Sequence, residues 1–107
     1  RGLGDVYKRQ IISREKPDGI FVSDDLTAIL VMKIARQLGL SIPDDLKIIG
    51  YDGTAFIRHF YPELATIQQP LDEIAKLCVE ILLKKIKGKT VNRDYVLPVS
   101  LIAGGSI

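Results

Sequence analysis

The stretch that decides the fold is Pro17-Asp-Gly-Ile-Phe-Val-Ser23 followed by Asp24-Asp-Leu-Thr-Ala-Ile-Leu-Val-Met-Lys-Ile-Ala-Arg-Gln-Leu38-Gly39. Gly19–Ser23 is a short apolar run after the turn signal Lys16-Pro17-Asp18, and its length and β-enrichment predict a buried strand. Ser23-Asp24-Asp25 offers an N-cap and two carboxylates where a helix begins and its dipole favours negative charge. Leu26, Ile29, Leu30, Ile34 and Leu38 then recur with a helical period, so the spacing predicts a helix from Asp25 to Leu38 closed by Gly39.

The same alternation continues downstream. Lys47–Tyr51 reads as a second strand ended by Asp52-Gly53, Ala65–Gln68 as a third closed by Pro70, and Leu71–Lys87 as a second long helix. That helix has Asp72 and Glu73 in its first turn and Lys84, Lys85 and Lys87 in its last, as the dipole prefers. Between the second and third strands, Phe56, Ile57, Phe60 and Tyr61 have a helical spacing that Pro62 stops. Tyr95–Val99 and Leu101–Ile102 read as short strands around Pro98. Strands alternating with helices imply an α/β layer, a Rossmann-like, mostly parallel sheet with right-handed crossovers.

Composition narrows the function classes. Of 107 residues 47% are hydrophobic and 26% charged, which is globular rather than disordered. No apolar run approaches the roughly 18–20 residues that span a bilayer, so no membrane role is expected. Lys and Arg number 15 against 13 Asp and Glu, too even a balance for a nucleic-acid footprint. One cysteine and one histidine leave neither a disulfide, nor a Cys-based zinc cluster, nor a His-x-x-x-His metal pair. No metal or cofactor is expected. Arg1–Gln10 fits the rest poorly and resembles a translated sequencing-adaptor run. Without its four charged residues, twelve of each sign remain.

In open parallel sheets, ligands bind beyond the carboxyl ends of the strands. Ser23 and Asp24 end the first strand, Asp52 the second and Gln69 the third, so four polar groups converge at one sheet edge. An ionised carboxylate accepts two hydrogen bonds at once, and vicinal hydroxyls of a sugar present such a donor pair. The set suits a polyhydroxylated ligand and lacks a nucleophile–base pair, so no enzyme activity is expected. Each group also has a structural role open to it: Asp24 and Ser23 as helix caps, Asp52 shaping the turn with Gly53, Gln69 as a plain loop residue. Cys78 is expected in the core, His59 at a surface or interface, and Phe56, Phe60 and Tyr61 as packing residues. Gly104-Gly105 follows no phosphate-binding pattern.

From Pro17 onward the chain resembles the carboxyl-terminal part of the lactose-repressor family of bacterial transcription regulators. The segments that carry the likeness are Pro17–Ala28, Leu38-Gly-Leu-Ser-Ile-Pro-Asp-Asp-Leu-Lys-Ile-Ile-Gly-Tyr-Asp52, Tyr61-Pro-Glu-Leu-Ala-Thr-Ile-Gln-Gln-Pro70 and Leu97–Ile102. Within the family it is most similar to sugar-operon repressors of the sucrose type. The resemblance implies a partial periplasmic-binding-protein-like core, a sugar or sugar-phosphate effector, a homodimer, and operator DNA held by a headpiece absent from this chain. The setting it implies is cytoplasmic. Asp52, Ser23, Gln69 and Asp24 become effector-site residues by this likeness, and Phe56, His59, Phe60 and Ala28 dimer-interface residues. The organisation expected is a non-native leader at 1–10, a carboxyl-terminal lobe at 11–70, a helix at 71–88 returning to a missing amino-terminal lobe, and tail strands at 89–107. The run Asp52-Gly53-Thr54 also resembles sugar-binding proteins of transport systems, the alternative reading. A nucleotide-dependent enzyme would need a glycine-rich phosphate loop after a strand, and none is present.

Overall fold

The computed structural model describes residues 3–107. Arg1 and Gly2, part of the expected leader, lie outside them. The chain runs α1 (Leu3–Glu15), β1 (Gly19–Phe21), α2 (Asp25–Gln37), β2 (Lys47–Asp52), α3 (Ala55–Phe60), β3 (Ala65–Gln68), α4 (Leu71–Ile86) and β4 (Ser100–Ile102). The strands form one sheet in the order β1-β2-β3-β4. Ile20 pairs with Ile48 and Gly50 with Thr66 in parallel, whereas β4 runs antiparallel to β3 with Leu101 opposite Ile67. The α/β class and mostly parallel sheet read from the sequence are thus borne out. No helix among the described residues is long and apolar enough to cross a membrane.

The core lies between α2 and the sheet. Ala28, Val31, Met32, Ile34 and Ala35 pack with Val22, Leu46, Ile48, Ile57, Leu64 and, from α1, Ile12. Of the predicted α2 face, Ile34 lies in the core and Ile29 and Leu30 pack against it, but its two ends do not. Leu26 is 70% exposed and Leu38 38%, whereas Ala28 and Ala35 are fully buried. From Ala28 to Ala35 only Lys33 is polar, so two overlapping stripes share the 3.6-residue period. The stripe with alanines lets the helix axis approach the sheet, and that packing wins. Residues 3–10 form the opening turns of α1, continuous with the segment that carries Ile12, and Arg9 donates a hydrogen bond to Gln37 on α2.

The tail differs from expectation in one respect. Tyr95–Val99 forms no strand, and pairing begins only at Ser100. Pro98 has no N–H to give a ladder, so the strand starts beyond it. After β4 the chain is stitched to the amino ends of β2 and β3. The Ser106 hydroxyl donates to the Ile48 carbonyl at 2.6 Å and accepts from the Ala65 N–H at 2.8 Å, and the Ser106 N–H donates to the Glu63 carbonyl at 2.9 Å. Gly104 allows this approach: a Cβ there would stand 2.7 Å from the Ala65 nitrogen. Close packing, rather than phosphate binding, is the use of that glycine.

Helix α4 buries no residue fully. Ile74, Leu77 and Ile81 are half-buried and, with Tyr95, Leu97 and Val99, line a cavity of about 310 Å³. Cys78, expected in the core, is exposed. The α4 face leans on the irregular 95–99 segment, which covers less of it than a sheet would.

Ser106→Ala is expected to lower stability by about 2 kcal/mol or more, because it strips one buried N–H of its acceptor and one carbonyl of a donor. The check is urea unfolding. A midpoint unchanged from wild type would contradict the stitching role.

Candidate functional site

Parallel pairing brings the carboxyl ends of β1, β2 and β3 to one edge, and the candidate residues are found there. Asp52 is the last residue of β2 and sits opposite Gln68 on β3. Its backbone φ is 121°, in the region that favours glycine. A non-glycine residue held there costs on the order of 1–3 kcal/mol and persists only where its surroundings over-determine it. Those surroundings are on view. The Asp52 carbonyl accepts the Gln69 N–H at 3.1 Å, and its Oδ1 accepts the Gln69 side-chain amide at 2.7 Å. Asp52 and Gln69 are thereby joined through both backbone and side chain. Among the described residues no hydrogen bond falls on Asp52 Oδ2, which leaves an acceptor for a ligand hydroxyl.

Gly53 follows with φ 64° and is pressed against β3: a Cβ would lie 2.8 Å from both Gln68 Cα and Cβ. The Gln68 side-chain amide donates to the Gly53 carbonyl at 3.3 Å. Gly53, Gln68 and Gln69 line a cleft of about 430 Å³ together with Thr54, Arg58 and Asp72.

The paired aspartates at the start of α2 have separate duties. Asp24 is the N-cap. Its Oδ1 accepts the Thr27 N–H at 2.8 Å and its Oδ2 the Thr27 hydroxyl at 2.9 Å. The Thr27 backbone bond, then the Thr27 hydroxyl, hold its pKa below the ordinary aspartate value. Asp24 still opens with Asp52 onto a smaller cavity of about 290 Å³. Ser23 is exposed, two residues beyond β1. Its hydroxyl lies 3.4 Å from Asp24 Oδ2, and it makes no hydrogen bond to Asp52 or Gln69.

Asp25 also borders that small cavity, but its carboxylate turns inward. It is 2% exposed, Oδ1 accepts the Thr66 hydroxyl at 2.6 Å, and Oδ2 accepts the Gly53 N–H at 2.9 Å. A Cβ on Gly50 would overlap Asp25 Oδ1, so that glycine makes the carboxylate's room. Sequence reasoning missed this residue. The available signal was its spacing: Asp25 shares a helical face with Ala28, Met32 and Ala35. Also missed were Phe21 and Tyr51, whose rings stand 6.4 Å apart at the ends of β1 and β2. Phe21 is 69% exposed, an apolar surface at the end of β1.

The interface candidates divide. Phe56 and Phe60 are each 61% exposed, with rings 4.7 Å apart, and His59 meets Phe60 edge-on at 5.1 Å. Ala28 is a correction. It is fully buried beneath Gly50, since it lies one helical turn from Asp25 on the inward face, and it is not available to a partner. The exposed apolar residue of that helix is Leu26, which lines the smaller cavity with Phe56.

The model of the periplasmic binding protein-like domain matches residues 3–107. The chain belongs to that family. It is 59% identical over 97 residues to the sucrose operon repressor of Streptococcus mutans, covering 91% of this chain and 30% of that protein. Among solved structures, a periplasmic binding protein/LacI transcriptional regulator from Alkaliphilus metalliredigens, complexed with D-xylulofuranose, is similar with TM-score 0.77 and 37% identity. The match covers 94% of this chain and 37% of that one. The lac repressor dimer bound to operator and the anti-inducer ONPF matches with TM-score 0.85 and 28% identity, over 96% and 32% of the two chains. These relatives bear out the resemblance to the lactose-repressor family. This periplasmic binding protein-like chain spans about a third of the length of the proteins it matches.

The cap on α2 generates a pH prediction for this domain. Because the Asp24 pKa is lowered on folding, its contribution is fully present above the ordinary aspartate range. It is lost as pH falls through the lowered value. Asp24→Ala is expected to cost about 1 kcal/mol at neutral pH. Urea unfolding across an acid series should show that difference closing. A pH-independent difference would rule out the cap's charge as its source.

Proposed function

We propose that the chain is the effector-binding and dimerisation part of a sugar-responsive transcriptional repressor of the sucrose-operon type. The Asp52–Gln69 pair at the carboxyl edge of the sheet carries this reading. It presents a fixed carboxylate acceptor beside an amide that both donates and accepts: Gln69 lines the cleft of about 430 Å³, Asp52 lines the smaller cavity of about 290 Å³, and Thr54 borders both, a polar setting that suits a small polyhydroxylated molecule. The 59% identity to a sucrose operon repressor supports the same class of effector, a sugar or sugar phosphate. The protein is then not an enzyme. It works in the cytoplasm, where its operator lies, as a homodimer whose DNA-binding headpiece is encoded outside these residues. Residues 11–70 belong to its carboxyl-terminal lobe, and the exposed apolar side of α4 faces the amino-terminal lobe.

The transport-protein alternative rested on Asp52-Gly53-Thr54. The left-handed φ of Gly53 and its crowding by Gln68 explain that glycine by local packing, so it no longer favours the alternative.

The test uses the Streptococcus mutans repressor with its matched 97 residues replaced by those of this chain. In that chimera Asp52→Ala is expected to weaken binding of sucrose or its constituent hexoses by about 2 kcal/mol, roughly 30-fold, by calorimetry. Operator affinity without sugar stays nearly unchanged. Equal sugar affinity in the two proteins would refute the assignment. In the same chimera, replacing Phe56 and Phe60 together by serine is expected to shift a micromolar dimer toward monomer in sedimentation velocity. An unshifted dimer would move the interface elsewhere.

A further inference from the structure

We propose that Asp25 is a positioning residue for the sugar site: it sets the orientation of the Asp52 carboxylate without touching the ligand. The inference rests on the effector reading of Asp52 and adds a residue to it. The peptide group between Asp52 and Gly53 is gripped at both ends. Its carbonyl accepts the Gln69 N–H at 3.1 Å, and its N–H donates to Asp25 Oδ2 at 2.9 Å. Fixing the plane of that peptide fixes the backbone rotation on the carboxyl side of Asp52, next to the unusual φ of 121°. The direction in which the Asp52 side chain leaves the sheet follows from the two together.

The second oxygen of Asp25 ties this grip to the sheet. Oδ1 accepts the Thr66 hydroxyl at 2.6 Å, and Thr66 is 1% exposed within β3. One carboxylate therefore joins the start of α2, the turn after β2 and the middle of β3, across sequence separations of 28 and 41 residues. Its duty is separate from helix capping, which Asp24 already performs. Gly50 is part of the device, since any side chain there would occupy the space of Asp25 Oδ1.

The experiment is a double-mutant cycle in the chimera, with sucrose and fructose as probes and hydrogen exchange as a ligand-free readout. Asp25→Ala is expected to weaken sugar binding about tenfold or more. Asp52→Ala should then cost much less in the Asp25→Ala background than in the parent, because a misdirected carboxylate has little left to lose. Asp25→Asn keeps an acceptor for one of the two donors and should fall between. It also serves as the readable variant if the alanine protein does not fold. Amide exchange should quicken at Gly53 and Gln69 while Ile48 and Ala65 keep their protection, a pattern that general loosening would not give. Additive losses, or exchange that rises equally at all four amides or not at Gly53, would overturn the proposal. If Asp52→Ala leaves sucrose and fructose binding untouched, the effector reading fails, and the exchange pattern alone decides whether Asp25 positions the turn.

Discussion

A single buried carboxylate, that of Asp25, ties together the three elements on which the carboxyl edge of the sheet depends. Burying an ionisable group is costly unless its hydrogen bonds are met, and here both oxygens find fixed donors, one from a backbone amide and one from a threonine hydroxyl. The arrangement needs α2 close to the sheet. Ala28 and Ala35 permit that approach, and Gly50 leaves the space into which the carboxylate reaches. The core and the site are therefore coupled by geometry: the same face of α2 fills the one and braces the other.

The two ends of the sheet are organised differently. At the amino ends of β2 and β3, Ser106 closes the structure with backbone partners on both sides and is 1% exposed. At the carboxyl ends the backbone is strained at Asp52, polar side chains pair with one another, and clefts open between them. The larger backbone departure, at Asp52, and an unused carboxylate oxygen thus lie where a ligand can use them, whereas Ser106 spends its hydrogen bonds on backbone partners. The apolar surface follows a similar division. Phe56, Phe60 and Leu26 on one side, and Val79, Leu82 and Ile86 of α4 on another, remain exposed around an otherwise closed core.

Much of this was legible in the residues. The alternation of short apolar runs with helical periods gives the element order, and the parallel-sheet rule brings Asp52 and Gln69 to one edge. Asp24 was open to two readings, cap or ligand contact. The structure establishes the cap and leaves it facing a cavity. Periodicity placed Ile29, Leu30 and Ile34 of α2 against the core but not its centre, because the apolar residues from Ala28 to Ala35 are interrupted only by Lys33; which of them lies deepest was settled by how closely the helix can approach the sheet. Cys78 was misplaced for a related reason: an amphipathic pattern says which face is apolar and is silent on what covers it.

The sequence by itself determined the class of fold, the strand order along the chain and the family likeness. These follow from local propensities and spacings that act over one or two turns. The tertiary structure alone decided which of two adjacent aspartates is buried, why positions 50, 53 and 104 are glycine, and which oxygen of Asp52 stays available. Each of these depends on contacts between segments far apart in the chain, such as Asp25 with Gly53 and Thr66 or Gly104 with Ala65. Local sequence pattern carries no record of such pairings, because they exist only once the chain has closed on itself.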